Sequence, residues 1–392
     1  MRILFVKRSQ SYPRSSGHDV HAYHMMRGLV ECGASVSLLT EVAVEPRAIE
    51  GLSLDWVGTY GDLPEVSRVV SMTGLRERFR RYWGVEPAHV QAIASLAESH
   101  RYDAIVVAIA GGLALFGGAK NAARIWYVAD DQMLHSWSLL DWKNPATWKR
   151  MREGCLHGLY ERVYRRDVDR VWLVSKRDAW FSRFVMGAAA ADVIPNGVDS
   201  AYFAPRAIDK LSQSCVFWGR LDFAPNLDAI RWFGKHVWMK LRDTHPQSIW
   251  SVYGFAAGAE VKALQAEYGF RLTCDLPDLR DEVSRHQVVV LPFVSGAGVK
   301  NKLLEAAALG MPILASGMAT NGLEGDSIPV RLATTPHAWR TQLSALWSDS
   351  ERCAELGEQT RAWVVEHHAW LKSARLALRG IEETLAGRTR GR

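Results

Sequence analysis

Residues 294–316 read VSGAGVKNKLLEAAALGMPILAS, which sets Gly296, Gly298, Lys300, Lys302 and Glu305 close together at the head of a helix-forming run. These residue types suit one task. Glycine lets the backbone approach a ligand because no Cβ stands in the way. The N–H groups at a helix start carry partial positive charge and favour an anion, and the lysines add full charges. One turn further in, the Glu305 carboxylate can accept hydrogen bonds from a diol such as a ribose. Phosphate and sugar recognised side by side mean a nucleotide. An ordinary strand–turn–helix connection with solvated lysines would share this local pattern, so the rest of the chain has to decide.

The 392 residues exceed one comfortable core, and two domains of roughly 200 residues are expected. The opening RILFV is a buried strand by its continuous apolar run. A polar loop, a helix capped by Asp19 and ended by Gly33, and the strand SVSLLT follow. This β-α-β unit puts the 8–18 loop at the carboxyl end of the first strand, where open parallel sheets bind ligands. Strands and helices go on alternating. YDAIVVAI, ARIWYVAD, VDRVWLVS and ADV complete the first half, and 203–214 reads as a linker. CVFWG, SIWSVYG, FRLTC, QVVVLPF and PILAS are the strands of the second, and the last 50 residues read as helix with no further strand. The expected fold class is α/β, with two doubly wound Rossmann-like domains facing a cleft. Their expected bounds are 1–203 and 204–370, with 371–392 a helix packing back on the first.

Composition narrows the function. The chain is 48% hydrophobic and 23% charged, ordinary for a globular protein, and it has no apolar run of the ~18 residues that would span a bilayer. MRILFVKRSQ is too short in apolar residues for a secretion signal. Five scattered cysteines without a CxxC pair argue against structural zinc or a disulfide framework and fit a reducing cytoplasm. The net charge of +6 is concentrated where basic residues alternate with aromatics, at 75–84 and 142–154. Such stretches either lie on an anionic membrane surface or turn their aromatics inward beneath a solvated basic face. No nucleic-acid recognition module is present, so a nucleic-acid partner is not expected.

Three segments carry a family resemblance: VIPNGVD (193–199), VFWGRLDFAPNLDAIRWF (216–233) and the opening stretch. In order and spacing they resemble the nucleotide-sugar half of GT-B glycosyltransferases, nearest to the retaining family called glycosyltransferase family 4. The start of the chain, with SSGHDVHAYHMMRGLVECG (15–33), is similar to that family's first domain.

The resemblance implies roles. Glu305 matches the second glutamate of the family's pair and would hold ribose; the first falls on Ala297. The GAGVKNK form looks like a subgroup in which glycine backbone and lysines replace that first carboxylate. Gly296, Ala297, Gly298, Val299 and Leu304 would line the donor site. Gly219 and Arg220 match the contact to the diphosphate. Relatives carry a lysine five positions after this arginine, where this chain has Pro225, and Lys300 is expected to supply the missing charge. In the first half, Gly17 matches the loop beneath the donor phosphates. Asp130, Asp131 and His135 fall where relatives place an acid or histidine by the transferred sugar, Asp130 foremost as the catalytic candidate. An Asp-Asp after a strand is also a common helix cap. His21 and His24 read as surface or packing residues rather than catalytic groups, and Asp278 sits where relatives have an acid in the loop near the base.

The implied activity is metal-independent transfer of a sugar from a nucleoside-diphosphate sugar to a glycan or lipid-linked acceptor, with no cofactor. Peripheral contact with an anionic membrane and a cytoplasmic location are expected with it. Two alternatives stay open: a degenerate protein that binds a nucleotide sugar or a partner without turnover, and a sugar-nucleotide epimerase of the same shape.

Overall fold

The computed structural model describes residues 1–12, 17–63, 72–138, 140, 144–188, 190–296, 298–323 and 328–390, side chains of 389 and 390 excepted. The chain divides into two compact units, Met1–Pro195 together with Trp370–Arg392, and Asn196–Ala369.

The first unit is built on seven parallel strands: β1 Arg2–Lys7, β2 Ser35–Thr40, β3 Trp56–Thr59, β4 Ala104–Val107, β5 Ala123–Ala129, β6 Arg170–Leu173 and β7 Ala191–Val193. Their order is β3-β2-β1-β4-β5-β6-β7. The unbroken apolar run of β1 has a direct cause: both faces of the sheet are covered. Ile3 and Phe5 enter a core layer with Met25, Trp172 and Ile381, whereas Leu4 and Val6 enter the opposite layer with Trp126 and Tyr160.

The helix Trp370–Arg390 belongs to this unit. It lies so close to the helix Gly17–Glu31 that a Cβ on Gly28 would come 2.7 Å from Ala374 Cβ. Arg170 donates to Glu383 and to the Thr384 hydroxyl, and Arg388 donates to the Ala122 carbonyl at 2.7 Å.

The second unit has six parallel strands: β8 Ser214–Arg220, β9 Ile249–Phe255, β10 Arg271–Cys274, β11 Val288–Leu291, β12 Ile313–Ala315 and β13 Arg331–Leu332. Their order is β10-β9-β8-β11-β12-β13. Trp238, Trp250 and Trp339 pack with Phe233 in its core, which takes in three of the chain's sixteen tryptophans.

Two edge strands depart from the sequence reading. β3 falls in a segment that carried no strand signal, and β13, two residues long, follows the strand expected to be last. Both are short edge strands, whose pairing is fixed by the neighbouring strand rather than by an apolar run of their own.

In each sheet the strand order reverses beside the unit's first strand, between β1 and β4 and between β8 and β11. Loops leaving the carboxyl ends diverge there and open a crevice, the general ligand site of doubly wound sheets.

Candidate functional site

At the β8/β11 crevice, β8 ends on Gly219, whose φ of 146° lies in the region that favours glycine. A Cβ here would stand 2.9 Å from both Asn226 Nδ2 and Lys302 Nζ. After β11, Gly296 and Gly298 have φ of 93° and 76° and turn the chain into the helix Asn301–Ala308. Gly296 packs on Pro225, leaving 2.9 Å for a Cβ. Pro225 is thus a close-packed wall of the loop.

The charge comes from deeper in. Lys302 Nζ donates to Asn226 Oδ1 at 2.7 Å and sits 4.9 Å from the ring centres of both Phe217 and Phe293. Burial pulls its ammonium down to about 7, with Glu305 opposing the fall and Lys300 adding to it. Asn226 is buried and holds this lysine with its oxygen, while its amide nitrogen donates to the Arg220 carbonyl at 2.7 Å. Glu305 stands one helical turn on, where its Oε2 accepts the Trp218 indole N–H at 2.8 Å. Burial pushes the Glu305 carboxyl up, and the Trp218 bond and the Lys302 charge hold it down.

Other expected residues lie further out. Lys300 precedes the helix and donates to the Gly296 carbonyl at 3.2 Å. Arg220 is on the rim, gripped by Asp222 through bonds of 3.0 and 2.6 Å. That pair is exposed, so freeing the guanidinium for a ligand costs at most about 1 kcal/mol. Val299 packs on the edge of the core and Leu304 is fully inside it, so Leu304 could meet a ligand only through its backbone. Asp278 binds the Arg280 guanidinium, which lies 3.6 Å over the Tyr202 ring, a pairing local to the loop after β10. Ala297 lies outside the described residues.

The sequence reading gave no separate role to Lys302, Asn226 or Trp218. Its available signal was the spacing of Lys302 and Glu305, three apart and therefore on one helix face.

The first unit has a cavity of about 330 Å³ at its own crevice, lined by Arg8, Ser9, His18, Asp19, Trp83 and residues 108–111. Gly17 starts the adjacent helix; Ser15 and Ser16 before it lie outside the described residues. Asp19, expected as a helix cap, lies inside the first turn. Lys7 Nζ meets its Oδ1 at 2.9 Å and the Ser11 hydroxyl donates to its Oδ2 at 2.8 Å. A buried lysine at the end of β1 claims the carboxylate more strongly than helix N–H groups could.

Asp130, Asp131 and His135 follow β5 and do not line this cavity. Asp131 is buried and caps the helix Gln132–Ser138, accepting the Leu134 N–H at 2.9 Å. Burial pushes its carboxyl up to about 6, helped by the charges of Asp178 and Asp130. Asp130 stands on a turn made by Ala129 with φ of 62°. His21 contacts Tyr127 Oη at 2.8 Å and packs edge-on to Trp370, while His24 stacks on the same indole at 5.1 Å. Burial takes His21 down to about 3, so both histidines pack as the sequence indicates. Among the described residues no three His, Cys, Asp or Glu side chains gather as metal ligands.

Residues 212–349 match the family model described as Glycosyl transferases group 1. No curated protein matches the chain by sequence. Solved structures similar over the whole chain include sucrose-phosphate synthase from Thermosynechococcus elongatus, with TM-score 0.71 and 15% identity, covering 98% of this chain and 99% of that one. Another is HepE of Anabaena in complex with UDP and glucose, with TM-score 0.64 and 14% identity, covering 97% and 99%. The pneumococcal O-GlcNAc transferase GtfA in complex with UDP and GlcNAc has TM-score 0.65 and 12% identity, covering 98% and 99%.

Proposed function

We propose that this chain, with a GT-B fold and a second unit that matches group 1 glycosyltransferases, transfers a hexosyl group from a nucleoside-diphosphate sugar to a glycan or lipid-linked acceptor. The transfer retains anomeric configuration, as in family 4. The observation that carries the reading is the Lys302–Asn226–Glu305–Trp218 cluster at the β8/β11 crevice. One oxygen of Glu305 is committed to Trp218, and the other is assigned to a ribose diol.

The reaction breaks the bond between the anomeric carbon and the diphosphate. Negative charge grows on phosphate oxygens while the sugar ring becomes oxocarbenium-like. Fixed cations and N–H groups aimed at that oxygen are the largest lever, worth about 3–4 kcal/mol for one strong contact. The reading assigns this work to Lys302, to Arg220 once released from Asp222, to Lys300 and to the glycine-flanked start of the helix Asn301–Ala308, without a metal or cofactor. Arginine grips two oxygens and lysine acts as a point charge, so they complement each other. Retention then follows front-face attack, with the leaving phosphate taking the acceptor proton. Asp130, Asp131 and His135 are assigned to the sugar side. The reading places the protein in the cytoplasm, in peripheral contact with an anionic membrane; its five cysteines are all free thiols.

The test is a thermal-shift screen against UDP, GDP, ADP and their sugar conjugates in metal-free buffer. A ligand at about 100 times its Kd adds roughly 2.7 kcal/mol, a rise of several degrees for a unit of this size. One base family is expected to raise the midpoint, and Glu305→Ala is expected to abolish the response. An unchanged response in Glu305→Ala would reject the assignment.

A further inference from the structure

The stretch 149–186 holds ten arginines and lysines against five acids, a local excess of five positive charges in a chain whose net charge is +6. Glu153 pairs inside the stretch, and the other four acids are engaged elsewhere or buried. Glu153 pairs with Arg150, Asp167 with Arg76 and Asp169 with Arg124, Asp178 accepts the Ser175 hydroxyl, and Glu161 is buried.

Two neighbouring helices carry the excess. The first, Lys149–Tyr164, turns Met151, Cys155 and Leu159 outward on one stripe, continued backward by Trp148. The second, Lys176–Phe181, runs on through a π-helical turn at Ser182–Met186 to Gly187 with φ of 75°. It exposes Trp180 at 58% and Phe184 at 67%, their rings 5.6 Å apart. The helices touch: Arg162 donates to the Val185 carbonyl at 3.4 Å, and a Cβ on Gly158 would lie 3.0 Å from Met186 Cε. Exposed Lys149, Arg152, Arg177 and Arg183 are interleaved with these apolar groups.

The other basic–aromatic stretch behaves differently. In the helix Gly74–Tyr82, Phe79 and Arg80 are buried, and Arg80 and Arg81 both bond Glu77.

We propose that the face formed by Lys149–Tyr164 and Lys176–Met186 docks on an anionic phospholipid bilayer. Trp180, Phe184, Leu159 and Met151 would enter the boundary between headgroups and acyl chains, and the interleaved cations would meet phosphates. The proposal gives the peripheral membrane contact of the reading above a location, and it does not depend on the donor chemistry. Apolar and cationic groups sharing one stripe suit this interface, where each finds its own medium within a few ångströms. A second copy of the chain would bring like charge against like charge. Among the described residues no helix is long and apolar enough to cross a membrane, so the contact is a surface one.

The experiment is co-sedimentation of the full chain with phosphatidylcholine vesicles, with and without phosphatidylglycerol, at rising salt. Binding is expected to phosphatidylglycerol vesicles only and to weaken with salt. Trp180→Ser/Phe184→Ser is expected to lower the partition coefficient about tenfold or more, and Arg177→Glu/Arg183→Glu to act similarly at low salt. Unchanged circular dichroism and an unchanged thermal unfolding profile verify that the variants fold. Equal sedimentation of wild type and both variants would overturn the proposal. So would absence of vesicle binding at low salt, or a dimer in sedimentation velocity that these variants dissolve. Loss of the nucleotide response alone would count against the donor reading and leave this one standing.

Discussion

Each unit carries a lysine at its crevice, Lys7 fully buried and Lys302 partly so, and the two are handled in opposite ways. Lys7, at the end of β1, meets a carboxylate directly at 2.9 Å and also donates to Gln10 Oε1 at 2.6 Å. Its charge is spent inside the protein. Lys302 has a neutral amide oxygen as its hydrogen-bond partner and two aromatic rings on its flanks. The nearby carboxylate, Glu305, is engaged by Trp218. A cation held this way gains when an anion arrives, whereas a paired one gains nothing. The contrast separates a lysine paired with a carboxylate inside the fold, at the end of β1, from one held by neutral groups on the helix that follows β11.

The sharpest way to break the comparison is Lys7→Met. It leaves Asp19 buried without its cation, and the loss of such a partner costs about 3–5 kcal/mol. The first unit's unfolding midpoint should fall by roughly 10 °C, measured by calorimetry, with nucleotide affinity of the second unit unchanged. Lys7→Met/Asp19→Leu should recover much of the loss. A nucleotide affinity that falls with Lys7→Met would show that this lysine also serves the ligand.

Lys302→Met should do the reverse. Nucleotide affinity is expected to drop about ten- to hundredfold, as for removal of a charged hydrogen bond. The ligand-free midpoint should rise slightly, because burying an unpaired cation costs stability. Titration calorimetry and thermal unfolding read the two effects. A large drop in ligand-free stability would place Lys302 with Lys7 as a structural residue.

The pH dependence sharpens the point further. With the Lys302 ammonium near 7 in the free protein, an anionic ligand favours the charged form and raises its pKa. Below about 7 the cation is already present. Above it, binding must take up a proton, so affinity should fall toward tenfold per pH unit. Calorimetry at pH ~8 in two buffers of different ionisation enthalpy should show proton uptake, absent in Lys302→Met. Equal heats, once corrected for the buffers, would reject the linkage. The smallest effect is expected for Lys300→Ala, about threefold and screened by salt, because its ammonium lies at the outer turn.

Much of this was legible beforehand. Apolar strand runs separated by helix-length segments specified two doubly wound sheets, Gly296 and Glu305 stood out by residue type and spacing, and Gly219 came from the family resemblance. The identity of the inner cation was hidden. Lys300 and Lys302 look alike in sequence, and only the bulk of Phe217, Phe293 and Asn226, brought together by β8 and β11, separates them. Asp19 was misread for a similar reason: helix capping is a local signal, while its capture by Lys7 depends on a strand twelve residues away. Edge strands β3 and β13 lacked a signal because their partners define them.

The return of the helix Trp370–Arg390 to the first unit sets the order in which the molecule can be completed. Ala374, Ala377 and Ile381 are fully buried in the same layer as Ile3 and Phe5. A nascent chain that has emerged as far as Ala369 holds every strand of both sheets, yet only the second unit has its whole core. Until the helix Trp370–Arg390 follows, one apolar layer of the first unit's sheet is incomplete. Chains at that stage are therefore most exposed to aggregation and proteolysis on that face of the first unit's sheet.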